Sequence, residues 1–89
     1  MEFEWDEKKR ALNLLKHKLD FADAPLLIAA PYLMEPTHPG TDSARFRAIG
    51  RVGSLYLTLI FTPRGEAWRI MSFRRARDGE RRRHQALHG

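Results

Sequence analysis

The chain has 89 residues, sixteen Lys/Arg against eleven Asp/Glu, a formal net charge of +5 and no cysteine. That length fits one domain over residues 1–89, and the lack of cysteine excludes disulfide staples and thiolate metal sites. No stretch reaches the roughly 18 apolar residues needed to span a bilayer, and the acidic, aromatic start lacks the form of a secretion signal, so a cytoplasmic location without membrane contact is expected.

A short strand over Glu2–Trp5 leads into Asp6, a good N-cap, and the spacing predicts a helix from Glu7 to His17. Leu12, Leu15 and Leu19 recur at intervals of three and four, as the apolar stripe of that helix should. Asp20 is placed to cap a second helix, Phe21 to Ala29, with Pro25 in its first turn and Pro31 ending it. Tyr32–Glu35 reads as a short strand, and residues 36–42 read as a loop rich in turn formers. Arg45–Val52, Leu55–Thr62 and Ala67–Arg74 read as strands, joined by turns at Gly53-Ser54 and Pro63–Gly65. Leu55–Thr62 is apolar on both sides and should be central. A last helix begins near Asp78. The order predicts an α+β fold with a short N-terminal strand, two helices, an antiparallel meander and a C-terminal basic helix.

Charge segregates along this order. Residues 1–44 carry five Lys/Arg against eight Asp/Glu, and residues 45–89 carry eleven against three. Seven arginines fall between Arg69 and Arg83. A basic face of this kind fits a polyanion such as RNA, and an acidic protein segment fits it nearly as well. Strict alternation puts Arg69, Met71 and Phe73 on one face of their strand, with Arg75 beyond them, and Trp68, Ile70, Ser72 and Arg74 on the other, unless a bulge or strand end near Ser72 re-aims Arg74. Arg45, Arg47 and Arg51 share a face of theirs, where they either converge on a phosphate or are solvated edge charges.

In the first helix Lys9, Asn13, Lys16 and His17 form a polar ridge opposite the leucines, suited to holding phosphate and moving protons, or simply to complementing the helix dipole. In the last helix Glu80 and His84 stand at i, i+4 as a candidate acid/base pair, with Asp78 placed to cap and so to leave Glu80 free. His84 and His88 are only two ligands, so no metal site is expected. No glycine-rich phosphate loop or serine elbow is present, so no cofactor is expected.

Three stretches taken together resemble the BrnT family of bacterial type II toxins over nearly the whole chain. They are Phe3-Glu4-Trp5-Asp6 with Lys9, Asn13, Lys16-His17, Phe21 and Asp23-Ala24; Arg45-Phe46 with Ala48-Ile49-Gly50-Arg51; and Arg69-Ile70-Met71-Ser72-Phe73-Arg74-Arg75-Ala76 followed by Glu80-Arg81. The resemblance implies a RelE-like toxin, a metal-independent endoribonuclease that cleaves RNA and arrests translation. It implies a BrnA-like ribbon-helix-helix antitoxin, and operator DNA bound only through the complex with it. On that basis Arg45, Arg69 and Arg74 would cradle the scissile phosphate and Glu80 and His84 would carry protons. Lys9, Lys16, His17, Arg75 and Arg81 would hold substrate. The chain departs from the family pattern at Ala44, usually acidic, at His84, usually tyrosine, and at Lys18, usually glycine. The first departure opens an alternative: a chain that binds its antitoxin and co-represses the operon without cutting RNA.

Overall fold

Asp6 ends the first strand and starts the first helix. In the computed structural model, which describes residues 1–37 and 44–89, β1 (Glu2–Glu4) leads into α1 (Glu7–His17), and the Asp6 carboxylate accepts the Lys8 and Lys9 amides at 2.7 and 3.4 Å. A 3₁₀ turn (Phe21–Asp23) capped by Asp20 then runs into α2 (Ala24–Ile28). The continuous helix expected from Phe21 to Ala29 is therefore two pieces. Pro25 has no N–H to offer the Phe21 carbonyl, which takes the Ala24 amide in a tighter turn instead. β2 (Tyr32–Pro36), β3 (Phe46–Val52), β4 (Leu55–Arg64), β5 (Ala67–Arg75) and α3 (Asp78–His88) complete the order. Most of the loop expected over residues 36–42 lies outside the described residues.

Among the described residues five strands form one sheet, in the order β1-β5-β4-β3-β2. The expected antiparallel meander is β2 to β5, with β4 central, and β1 joins β5 in parallel, so the sheet is mixed. The second hairpin turns at Gly65-Glu66, two residues later than expected, because Pro63 and Arg64 still pair with Trp68 and Ala67. On one sheet face Ala48, Leu57, Leu59, Phe61, Ile70 and Phe73 bury against Phe21, Ala24 and Leu27. Gly50 permits that closeness, since a Cβ there would stand 2.8 Å from Leu27 Cδ1. Among the described residues no helix is long and apolar enough to cross a membrane.

Strict periodicity fails at two places, the first of them at the bulge that could re-aim Arg74. The β4–β5 register pairs Ile60 with Ser72 but Phe61 with Ile70, leaving Met71 as an extra residue in β5. This bulge resets the alternation, so Ile70 and Phe73 both face the core while Arg69, Ser72 and Arg74 share the opposite face. Arg75, expected beside Arg69, pairs with Leu57 and falls on the other side.

The leucine stripe of α1 also points the wrong way. Leu12 and Leu15 are 65% and 71% exposed, while Asn13 is buried and only Leu19 packs against the core. The helix lies along β5 beyond the end of β1, where the strand edge needs polar partners. Asn13 supplies them. Its Nδ2 donates to the Phe73 carbonyl at 2.8 Å and to the Leu19 carbonyl at 2.9 Å, and its Oδ1 accepts the Phe73 amide at 3.0 Å. Arg10 fastens the same helix to Asp20 at 2.7 and 2.9 Å, which holds the Asp20 carboxyl below its usual range.

Lys18 ends α1 at φ 60°, ψ 27°, its N–H on the Leu14 carbonyl at 3.0 Å. Such a left-handed cap favours glycine, the residue that the BrnT resemblance leads one to expect there. Lys18→Gly should stabilise the fold by about 1 kcal/mol, raising the thermal midpoint by roughly 4–8 °C in a melting experiment.

Candidate active site

The sheet face opposite the core is only partly covered. α3 packs across β2 and β3 there, and beside its N-terminus a cleft of about 230 Å³ stays open, lined by Thr37, Arg45, Arg47, Ile60, Arg74 and Arg77. Arg47 on β3 and Arg74 on β5 reach it from either side of Ile60 on the central strand. Arg45 enters just before β3, and Arg77 just before α3.

Two carboxylates hold this array from behind. Glu80 is 3% exposed and takes a two-pronged bond from Arg74 at 2.8 and 2.9 Å, the Thr58 hydroxyl at 2.9 Å and the Arg77 amide at 2.9 Å. Burial alone would raise its pKa, but the bonds from Arg74, the Arg77 amide and Thr58 outweigh it and bring the value to about 2. Glu35 holds Arg47 at 2.7 Å and Arg83 at 2.6 Å, tying β3 to α3. The Arg83 bond, then that from Arg47, keeps its carboxyl below the usual range against the opposing effect of burial. Among the described residues five guanidinium groups, those of Arg45, Arg47, Arg74, Arg77 and Arg83, therefore stand against two carboxylates, and the cleft keeps a positive balance suited to an anion.

The N-terminus of α3 differs from expectation here. Arg77 is the N-cap residue and Asp78 the first residue of the helix. The amide that needs an acceptor is that of Arg77, and Glu80, three residues on, is the group that reaches it. Glu80 is thus not free.

A second cavity of about 240 Å³ is lined by Lys9, Leu12, Asn13, Lys16, His17, Met71 and Ser72. Ser72 pairs across the sheet with Ile60, so this cavity neighbours the arginine cleft. His17 is half-buried at its edge. Burial, Lys16 and Arg74 lower its pKa from the ordinary value, which leaves a neutral imidazole able to accept a proton at pH 7.

The structure thus brings Arg45 and Arg74 together in one cleft and Lys9, Lys16 and His17 together beside it. Arg69 shares their face but lies 3.8 Å from Glu4, which Arg64 also approaches at 3.3 Å. Arg81 is exposed, 3.8 Å from Asp78. His84 is buried, its Nε2 on the Pro31 carbonyl at 3.1 Å and its ring edge-on to Tyr56, while His88 meets the Tyr32 carbonyl at 3.3 Å. The two histidines fasten α3 to the start of β2. Arg47 already shared a face with Arg45 by alternation. Glu35 and Thr58 join the site only through strand register and helix packing, which no local pattern displays.

The α+β fold thus carries an arginine cleft backed by the buried Glu80 and the half-buried Glu35, a site with the charge to hold an anion. Residues 5–80 match the family described as the ribonuclease toxin BrnT of type II toxin–antitoxin systems, and the chain belongs to that family. No curated protein matches it.

Proposed function

We propose that the chain is a RelE-like toxin that cuts RNA without a metal ion in the arginine cleft, arresting translation in the cytoplasm. The observation that carries this reading is the clustering of Arg45, Arg47, Arg74 and Arg77 on one open sheet face beside a neutral His17. The 2′-oxygen of a ribose attacks the adjacent phosphorus, the bond to the 5′-oxygen breaks, and the products carry a 2′,3′-cyclic phosphate and a 5′-hydroxyl. The arginines stabilise the charge that gathers on the phosphoryl oxygens. His17 takes the 2′-OH proton, and the departing oxygen takes one from water at the open cleft. Glu80 orients Arg74 rather than moving protons, since both its oxygens hold donors and its pKa is about 2. Lys9 and Lys16 steady the neighbouring backbone. A BrnA-like antitoxin neutralises the toxin, and the pair binds operator DNA through the antitoxin.

The test is cleavage of single-stranded RNA by purified chain in EDTA. The expected products end in cyclic phosphate, and Arg45→Ala should slow their appearance roughly 100-fold. The rate should rise with pH to a plateau set by His17, reached before neutrality because its pKa is lowered. One observation favours a second reading. At Ala44, usually acidic in the family, the backbone carbonyl accepts from the Thr62 hydroxyl, and among the described residues the two carboxylates at the cleft, Glu35 and Glu80, are tied to arginines. RNA left intact by excess protein that still binds its antitoxin would establish the non-cutting module instead.

A further inference from the structure

α1 turns an apolar face to solvent. Lys8, Leu12 and Leu15 stand at i, i+4 and i+7 on one side of the helix, and both leucines are mostly exposed. Leu12 also lines a cavity together with Met71, so the apolar surface continues from the helix into a groove rather than ending as an isolated side chain. All four lysines of the chain, Lys8, Lys9, Lys16 and Lys18, lie on this helix or its cap, whereas every Lys/Arg position after it is arginine.

We propose that this lysine-ringed leucine face is the docking surface for an acidic amphipathic segment of the antitoxin, a proposal that rests on the toxin–antitoxin reading above. The apolar residues of such a segment cover Leu12 and Leu15, and its carboxylates meet the ring of ammonium groups. A second copy of this chain fits poorly, because two such faces would set lysine against lysine. RNA fits poorly because leucines offer nothing to phosphate. Lys9 and Lys16 also border the cavity beside the arginine cleft, so a segment seated on α1 closes that side to RNA. Neutralisation then follows from occupancy.

The experiment is calorimetric titration of the purified cognate antitoxin into the wild-type chain and into Lys8→Glu/Leu15→Glu. Neither residue lines the arginine cleft, and both side chains are exposed, so the variant should fold and cut RNA as the wild type does. Antitoxin affinity should fall roughly 100-fold, and exchanging an acidic residue of the antitoxin for lysine should recover binding to Lys8→Glu. Unchanged affinity overturns the proposal. So does a wild-type dimer in sedimentation that the variant loses, which would give the face to a second copy, or a variant that loses RNA binding. A wild-type chain that fails to cut RNA sinks the proposed activity but leaves the titration readable, so the two readings fail separately.

Discussion

Glu80→Gln is expected to destabilise the fold on the order of 3 kcal/mol at neutral pH and to disable the cleft wherever it remains folded. The Glu80 carboxyl has a pKa of about 2 in the folded chain against 4.5 for an unperturbed glutamate. At 1.36 kcal/mol per pKa unit, that difference alone sets the scale. Removing one partner of a buried ion pair gives a similar figure, about 3–5 kcal/mol. For a domain with a total of roughly 5–15 kcal/mol this is a large share. Glutamine keeps an oxygen for Thr58 or the Arg77 amide, but it sets an NH₂ group against the Arg74 guanidinium. Because the folded pKa is depressed, the stabilisation is complete above pH 4.5 and is lost as pH falls toward 2. Urea midpoints should therefore differ widely between variant and wild type at pH 7 and much less at pH 3. A gap of constant size would mean that the ionised carboxylate is not its source. At a temperature where circular dichroism shows the variant folded, RNA cleavage should still be impaired, since Arg74 has lost the group that aims it.

The sheet was legible in the sequence because its signals are local. Alternation marked β4 as apolar on both sides, Gly53-Ser54 marked the first hairpin, and Asp6 and Asp20 marked their caps. The site was legible only in part. Strict alternation sends Arg69 and Arg74 to opposite faces, and the single unpaired residue at Met71 reverses that. A bulge of this kind carries no composition signal when its residue is as apolar as its neighbours. The Glu80–His84 spacing likewise marks one helix face without saying what that face meets. It meets Arg74 and Thr58 at one turn and a backbone carbonyl at the next, so one residue stands behind the cleft and the other leaves it.

The leucine stripe of α1 misleads for a reason that a substitution can expose. Hydrophobic periodicity assumes that a helix packs on the apolar face of a sheet, whereas α1 packs on a strand edge, where the demand is for hydrogen bonds. Asn13→Leu nearly preserves side-chain volume and makes the buried side of the helix apolar, yet it should cost about 3 kcal/mol or more. It would leave the Phe73 amide, the Phe73 carbonyl and the Leu19 carbonyl without their partner, and each such buried group costs about 1–3 kcal/mol. Leu12→Asn, a polar change on the exposed side, should fall within roughly 0.5 kcal/mol of wild type. Urea denaturation of the two variants compares the two faces directly, and faster hydrogen exchange at Phe73 in Asn13→Leu would localise the loss to the strand edge. If Leu12→Asn proved the more damaging of the two, α1 would have to be turned about its axis, with its leucines inward. Lys9, Lys16 and His17 would then leave Ser72 and the arginine cleft. The orientation of one amide therefore decides whether the histidine proposed to take the proton stands beside the arginines proposed to hold the phosphate.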